Sequence, residues 1–353
     1  MNFGSDNWSG VHPAIWDAMG RANAGLAPGY GNDDLTAAAV AAVRETFDAP
    51  QAEVFLLGTG TGANALALSQ ICPPWGRIFC HESAHIHTSE SGAPGYLSGG
   101  AQLALVPGAD GRLTPDALRD TLALYPQVDE HDGQNAVLSI TNTSECGRVY
   151  GPADLAALCD VAHGAGMAVH LDGARFANAV AASGAAPADL TWRAGVDALS
   201  LGGTKNGCMA LEAVVIFDPA RAAGFRFRRM RAGHLWSKHR FLAAQMLAWL
   251  DGGLWLDLAR HANAMAADLA QGLAPIWPVE ANEVFLRLPT ARISALRAAG
   301  LKAADWDMPA GSPDTAAIRL VTSWATTSEQ VAAARALLLA DQDGAQAAPA
   351  LRQ

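Results

Sequence analysis

The stretch that decides the fold reads Val196-Asp-Ala-Leu-Ser-Leu-Gly-Gly-Thr-Lys-Asn-Gly-Cys-Met209. It begins as an apolar strand that reaches Ser200 and then enters a glycine turn that carries Lys205. Lysine is rare in this chain, because only Lys205, Lys238 and Lys302 occur among 24 basic residues. A partly buried lysine can lose its proton and form a Schiff base, which arginine cannot do. The loop is therefore interpreted either as a Schiff-base site or as a capped turn with an exposed lysine.

Strand and helix patterns alternate on both sides of this stretch. Apolar strands are predicted at 54–57, 77–80, 102–106, 136–141, 167–172, 196–201 and 212–217. Helical patterns lie between most of them, at 35–47, 115–124, 153–163 and 175–182. Nearly continuous apolar strands separated by helices are typical of an α/β fold with a mainly parallel, doubly wound sheet.

The bulk properties exclude several classes of function. The net charge of −10 and the pI near 5.4 argue against nucleic acid or an anionic membrane as a partner. The first residues lack a basic head and an apolar core, so no secretory signal is predicted and a cytoplasmic protein is expected. Five cysteines without a Cys-x-x-Cys pair suggest neither a disulfide framework nor a structural zinc site.

A glycine-rich turn follows the first predicted strand and reads Gly58-Thr-Gly-Thr-Gly-Ala-Asn64. A strand, a glycine turn and a helix start offer free N–H groups and the positive end of a helix to an anion. The spacing fits neither a P-loop nor a dinucleotide fingerprint. A single phosphate, helped by the hydroxyl of Thr59 or Thr61, fits better, and an ordinary tight turn remains the alternative.

Three histidines stand close together at His81, His85 and His87. A metal site is the less favoured interpretation, because a turn from strand to helix would scatter the rings. His85 is the best placed to stack on an aromatic cofactor. Hydrogen-bonded loop histidines explain the other two.

Polar residues follow several predicted strands at the point where each strand ends, namely Asn142, Asp172 with Arg175, and Lys205. In parallel sheets these ends meet at one edge, where ligands bind. A carboxylate such as Asp172 can hold a protonated pyridine nitrogen, and a lysine can hold an aldehyde. Together with the phosphate cradle at Gly60 and Thr61, these residues predict pyridoxal phosphate as the cofactor. The guanidinium groups of Arg175 and Arg319 suit the α-carboxylate of an amino acid.

The pattern changes after residue 218. Residues 221–240 are strongly basic, which indicates contact with phosphate, a partner subunit or an acidic surface, or else a solvated helix face. Helices at 235–273 and strands at 283–288 and 317–321 predict a smaller α+β domain. We therefore expect an N-terminal arm (1–25) that contributes to the active site, a large domain (26–240), a small domain (241–340) and a flexible tail (341–353).

Several of these stretches together resemble the threonine aldolase family. The most specific is Leu171-Asp-Gly-Ala-Arg-Phe-Ala-Asn-Ala179, and it is supported by the glycine turn at 58–64, by 85–90 and by Ile318-Arg-Leu-Val-Thr-Ser323. Gly203-Thr-Lys-Asn-Gly207 and residues 233–245 are similar to the bacterial low-specificity L-threonine and phenylserine aldolase branch. The resemblance implies a pyridoxal phosphate enzyme of the aspartate aminotransferase fold (fold type I), with a mainly parallel seven-stranded sheet in the large domain.

The resemblance also implies roles for individual residues. Lys205 carries the cofactor, Asp172 pairs with the ring nitrogen, and His85 stacks on the ring and helps to move protons. The residues that contact the cofactor phosphate and its surroundings are Gly60, Thr61, Thr204 and Arg175. The residues that contact the bound substrate are Ser5, Asn142, Arg175 and Arg319.

One stretch departs from the family pattern. Many members have a histidine in an Asn-Thr-His sequence that contacts the substrate hydroxyl, whereas this chain has Asn142-Thr-Ser144-Glu145. Either His85 deprotonates the hydroxyl, directly or through water, or Glu145 contributes.

The implied reaction is cleavage of a β-hydroxy-α-amino acid into glycine and an aldehyde. The family further implies a homo-oligomer with active sites at a dimer interface, often in a tetramer. Another pyridoxal phosphate reaction, such as β-elimination or transamination, is the first alternative, and a non-catalytic cofactor-binding module is the second. The preferred substrate side chain stays open between threonine, allo-threonine, phenylserine and bulkier groups.

Overall fold

The structure is a computed structural model that describes residues 1–308, 312 and 314–340 of the 353-residue chain. The tail predicted at 341–353 lies outside the described residues. Among the helices that the structure describes, none is both long and apolar enough to cross a membrane.

Two sheets form the framework of the described part of the chain. Their strands are β1 (Glu53–Leu57), β2 (Gly76–His81), β3 (Gln102–Val106), β4 (Gln134–Thr141), β5 (Ala168–Gly173), β6 (Ala198–Gly202), β7 (Glu212–Ile216), β8 (Glu283–Pro289), β9 (Ala304–Trp306) and β10 (Thr315–Val321). The large sheet has seven strands in the order β1-β7-β6-β5-β4-β2-β3, and only β7 runs antiparallel to its neighbours. This sheet confirms the prediction of a mainly parallel α/β fold.

Helices cover both sheets. They are α1 (Pro13–Ala22), α2 (Asp34–Thr46), α3 (Gly60–Ile71), α4 (His85–Thr88), α5 (Ala93–Ser98), α6 (Pro115–Ala123), α7 (Pro152–Gly164), α8 (Phe176–Ser183), α9 (Phe225–Arg231), α10 (Arg240–Leu250), α11 (Leu254–Leu269), α12 (Thr290–Ala298) and α13 (Ser328–Leu339). Several begin at a residue whose side chain accepts a bond from the first turn, such as Asp33 before α2 and Thr114 before α6. These caps explain why the helices begin where they do.

The central strands are buried along their whole length. Every residue of β5, β6 and β7 is buried, which agrees with their nearly continuous apolar sequence. The second sheet, ordered β8-β10-β9, forms a separate core with α12 and α13. The short strand β9 was not predicted.

The packing bears on the predicted domain boundary at residue 240. Met246 and Trp249 of α10 belong to the core of the large sheet, whereas Leu269 at the end of α11 packs with Val284 in the core of the small sheet. The change from one core to the other therefore occurs within α11. We propose that the small domain begins in that helix.

The N-terminal arm runs from the small sheet to the large sheet. Asn2 pairs with Lys302 as an isolated β-bridge, and Phe3 is fully buried in the core of the small sheet. The backbone N–H of Val321 donates to the carbonyl of Phe3 over 2.8 Å. The chain then crosses to the carboxyl edge of the large sheet, where the candidate site lies.

Candidate active site

A cavity of about 700 Å³ lies at the carboxyl ends of β4, β5 and β6. Such a volume is typical of small-molecule sites. Most of the residues predicted from the sequence line this cavity: Ser5, Gly60, Thr61, His85, Asp172, Arg175, Thr204, Lys205 and Arg319. They come together because parallel neighbours end at one edge, as the register of Thr141 opposite Asp172 shows.

Lys205 stands on a single 3₁₀ turn, Thr204–Asn206, directly after β6. The turn is fixed from behind, because the Asn206 side chain donates to the Trp255 carbonyl over 2.7 Å and Trp249 donates to the Asn206 carbonyl over 3.1 Å. Burial, together with the positive charge of Arg175, lowers the pKa of Lys205. A neutral amine is nucleophilic, so this lysine is prepared to attack a carbonyl carbon.

Asp172 is a buried carboxylate with fixed orientation. Its Oδ2 accepts from the Asn64 side chain over 2.8 Å, and its Oδ1 accepts from the Ala174 backbone N–H over 3.0 Å. The side chain is 3 % exposed, yet it lines the cavity. A carboxylate held in this way is suited to bind a cationic N–H group of a ligand.

The glycine turn forms the N-terminus of α3. The Thr59 side chain caps the helix by accepting from the Gly62 backbone N–H over 3.2 Å. Because the first N–H groups of a helix have no partner within it, those of Gly60 and Thr61 are available at the cavity wall. This geometry is the anion cradle expected from the sequence.

The loop after α9 packs tightly on the glycine turn. A Cβ atom at Gly58 would lie 2.2 Å from the Trp236 ring, and one at Gly62 would lie 2.2 Å from the His234 ring. Glycine is therefore required at both positions by close approach. Within the basic stretch 221–240, Arg229 donates to the Leu56 carbonyl over 3.3 Å, so this arginine supports the strand that leads into the cradle.

His85 begins the short helix α4 and is held by a buried acid. Its Nδ1 lies 2.8 Å from Glu90 Oε1, and the same oxygen accepts from the Asn64 side chain over 2.9 Å. Since Asn64 also donates to Asp172, a continuous chain of hydrogen bonds joins His85 to Asp172. The bond to Glu90 occupies Nδ1 and leaves Nε2 as the available ring nitrogen.

The other two histidines take no part in the site. Both ring nitrogens of His81 have partners, the Ser83 hydroxyl at 2.7 Å and the Gly108 carbonyl at 3.1 Å, and His87 is exposed. Among the described residues, no group of three His, Cys, Asp or Glu side chains could hold a metal ion.

Two arginines at the cavity are positioned by two buried acids. Arg175 donates to Asp6 from Nε over 2.7 Å and from Nη2 over 3.1 Å. Glu283 Oε1 lies 3.5 Å from Arg175 Nη2 and 3.4 Å from Arg319 Nη1. Because Glu283 lies between them, its charge offsets the repulsion of two cations that converge on one place.

The charge of Asp6 is itself stabilised. Burial alone would raise the pKa of Asp6, but the positive charges of Arg175 and Lys205 and the hydrogen bonds from Arg175 and Asn282 outweigh it and lower that pKa. The acid is therefore ionised at neutral pH and holds Arg175 as a bidentate partner.

Asp6→Ala is expected to loosen this arrangement. Removing one partner of a buried ion pair costs about 3 kcal/mol of the free energy of unfolding. We expect KM for the amino acid substrate to rise about tenfold with a smaller change in kcat, because Arg175 loses its orientation. Thermal unfolding and steady-state kinetics measure both effects. The exposed acid Asp17 on α1 does not line the cavity, so Asp17→Ala is the control, and an unchanged KM in Asp6→Ala would contradict the positioning role.

Asn142, which was predicted to contact the substrate, is not among the residues that line the cavity. Its side chain donates to the Tyr150 carbonyl over 3.2 Å and accepts from the Tyr150 N–H over 3.1 Å, and it is fully buried. The structure therefore places Asn142 behind the cavity wall, where its hydrogen-bonding groups are already used. Thr141, Thr143 and Glu145 line the cavity instead.

Sequence reasoning missed several residues of this site: Asp6, Asn64, Glu90, Glu212 and Glu283. Each is polar and buried, which is costly without a partner and therefore indicates a structural or functional role. Glu212 also lines the cavity, and burial raises its pKa to about 7. Most of their partners are distant in the sequence, such as Arg175 for Asp6 and Asp172 for Asn64, so no local pattern marks them.

Comparisons with known proteins agree with this geometry. The family model described as "Beta-eliminating lyase" matches residues 2–288. A low specificity L-threonine aldolase of Pseudomonas aeruginosa is 42% identical over 337 residues, which cover 94% of this chain and 95% of that protein. The chain belongs to the threonine aldolase family.

Two solved structures place the threonine aldolase family in its wider fold class. The threonine aldolase of Leishmania major superposes with a TM-score of 0.89 at 29% identity and covers 97% of this chain and 98% of that one. A serine palmitoyltransferase of Sphingomonas wittichii superposes with a TM-score of 0.69 at 16% identity, covering 99% of this chain and 88% of that one, which shows a shared fold. The predicted family, the fold type I assignment and the dependence on pyridoxal phosphate are confirmed.

The residues present fit this cofactor. The available N–H groups at the start of α3 suit a phosphate, and the fixed carboxylate of Asp172 suits a protonated pyridine nitrogen. The lowered pKa of Lys205 suits an aldehyde. The individual site assignments stay predictions that the variants described below test.

Proposed function

We propose that this threonine aldolase family member cleaves L-threonine, L-allo-threonine and related β-hydroxy-α-amino acids into glycine and an aldehyde. One observation carries the proposal: a lysine with a lowered pKa, a fixed carboxylate and two converging arginines line the same cavity. The lysine and the carboxylate suit the cofactor, and the two arginines suit the carboxylate of an amino acid substrate. The relatives named above are aldolases, which supports the same reaction here.

Separate parts of the cavity would hold the cofactor. Gly60, Thr61 and Thr204 would bind the phosphate, Lys205 the aldehyde and Asp172 the pyridine nitrogen, with His85 beside the ring. When bound, pyridoxal phosphate supplies an aldehyde for the amino group and a ring that accepts electron density from the substrate.

The remaining residues of the chain orient the substrate. Arg175 and Arg319 bind its carboxylate, and Ser5 lines the same cavity. Burial and the charge of Arg175 lower the pKa of Lys205, so its Nζ can accept and return a proton at the substrate Cα. Cleavage of the Cα–Cβ bond also requires a group that removes the proton of the β-hydroxyl.

Product analysis separates the aldolase from its alternatives. With L-threonine, we expect acetaldehyde and glycine in equal amounts, without ammonia or a keto acid. Phenylserine should give benzaldehyde, since Trp306 also lines the cavity and can pack against an aromatic side chain. Aldehyde is measured with a coupled dehydrogenase and glycine by chromatography. Ammonia with 2-ketobutyrate would indicate β-elimination instead, and a keto acid without ammonia would indicate transamination.

We also propose that the enzyme is a homo-oligomer, a dimer or tetramer, in the cytoplasm. Large apolar side chains are exposed on the monomer at Trp8, Trp16, Tyr30 and Phe227, which supports burial against another subunit. All five cysteines are free and buried, which suits a reducing compartment. Light scattering of the purified holoenzyme measures its mass, and a monomer at micromolar concentration would contradict the oligomer.

A further inference from the structure

The group that accepts the β-hydroxyl proton can be sought among the cavity residues after β4. Ser144 is not available, because its hydroxyl donates to the Asp110 carbonyl over 3.1 Å and accepts from the N–H groups of Cys146 and Arg148. It is fully buried and is absent from the cavity wall. Glu145, the next residue, does line the cavity.

The carboxyl group of Glu145 is fixed at one oxygen and unpartnered at the other. Its Oε1 accepts from the His85 backbone N–H and from the Thr141 hydroxyl, each over 2.9 Å. Its Oε2 is buried and has no hydrogen-bond partner within the described residues. A buried acceptor without a donor is unfavourable, so this oxygen is suited to receive a hydroxyl from a ligand.

His85, the competing candidate, has one ring nitrogen engaged. Its Nδ1 lies 2.8 Å from Glu90 Oε1, which leaves Nε2 as its available ring nitrogen. Glu145 is within electrostatic reach of both Asp172 and Arg175. Arg175 is one of the two arginines proposed to bind the substrate carboxylate.

We propose that Glu145 Oε2 is the general base that removes the β-hydroxyl proton, which deepens the proposed function and depends on it. The O–H bond breaks as the proton moves to Oε2, and its electron pair becomes the second bond of the aldehyde carbonyl. The Cα–Cβ bond breaks with its pair left on Cα, which takes a proton from water to give glycine. Glu145 then releases its proton to water.

The surroundings of Glu145 adjust its ionisation. Burial, reinforced by the negative charge of Asp172, raises its pKa to about 7, while the bonds from His85 N–H and Thr141 act in the opposite direction. The charged or titratable groups that face it are those of Asp172, Arg175, His85, Cys80, Cys146 and Tyr150. Burial raises the pKa of both thiols to about 12 and raises that of the phenol, so these three stay neutral. Since a base must be ionised, cleavage should increase as the pH rises through about 7.

The test uses Glu145→Gln, which keeps the shape and the Oε1 acceptor but cannot take a proton. We expect kcat for L-threonine cleavage to fall about 100-fold and the rising limb of its pH profile near 7 to disappear. Exchange of the glycine α-proton with D₂O, followed by NMR, should change less than about twofold, because glycine has no β-hydroxyl. This exchange also verifies that the variant folds and binds the cofactor.

A second variant and a direct titration sharpen the result. Thr141→Val keeps the carboxyl but removes a donor to its ionised form, so the rising limb should move to higher pH. Difference infrared spectra of the full-length enzyme, wild type minus Glu145→Gln, should contain a carboxylic acid band that titrates near pH 7. Neither measurement depends on the rate of cleavage alone.

Three outcomes would overturn the assignment. One is that Glu145→Gln cleaves L-threonine at the wild-type rate and keeps the rising limb of its pH profile. Another is an equal loss of cleavage and glycine exchange, which would indicate a role in holding the cofactor. The third is loss of the limb in His85→Asn but not in Glu145→Gln, which would make His85 the base. If the wild type itself forms no aldehyde from L-threonine, the proposed function fails, and that result is distinct from all three.

Discussion

Lys205→Ala should lower kcat for aldehyde formation at least about 10⁴-fold, the largest effect expected in this enzyme. The side chain is the only lysine amine at the cavity within the described residues, and burial gives it the lowered pKa that a nucleophilic amine needs. The wild type should show a visible absorption band from lysine-bound cofactor, and borohydride reduction should attach the cofactor to the peptide that contains Lys205.

The matched control for this variant is Lys302→Ala. Lys302 is exposed, and only its backbone takes part in the bridge to the N-terminal arm, so its side chain can be removed without altering the cavity. We expect normal kinetics and a normal spectrum. A Lys205→Ala enzyme with undiminished turnover, or a borohydride adduct on a different lysine, would contradict the assignment.

Asp172→Asn should lower kcat about 10²- to 10³-fold. The amide has the shape of the acid, but it no longer stabilises a positive charge on a pyridine nitrogen, so the electron-accepting capacity of the ring falls. The amide must also turn an oxygen toward both the Asn64 side chain and the Ala174 N–H, which now bond to different oxygens of the carboxylate. A small loss of thermal stability should accompany the kinetic effect.

Reconstitution provides the control for Asp172→Asn. A cofactor methylated on its ring nitrogen carries a permanent positive charge and does not need the carboxylate for that purpose. This analogue should restore a larger fraction of activity to Asp172→Asn than to the wild type. If it restores both equally or neither, Asp172 acts through some other contact.

Much of this site could be predicted because its residues lie where elements end. Lys205, Asp172 and the glycine turn each follow a buried strand, and strand ends converge in a parallel sheet. The partners of these residues could not be predicted in the same way. Glu283 reads as the start of an ordinary strand, and only the folded chain brings it between Arg175 and Arg319.

Two differences between the sequence-based predictions and the structure have similarly specific causes. Asn142 carries a polar side chain at a strand end, but its contacts with Tyr150 depend on a loop that returns to the strand. The three-residue strand β9 is too short to give a period of its own, and pairing with β10 determines it.

The N-terminal arm has a mechanical consequence. Its first residues are bonded to the backbone of Lys302 and Val321, and Asp6, three residues beyond Phe3, forms an ion pair with Arg175, which follows β5 of the large sheet. The arm is too short to absorb a rigid rotation of one sheet against the other without straining that ion pair. Such a rotation would thus also displace the guanidinium of Arg175.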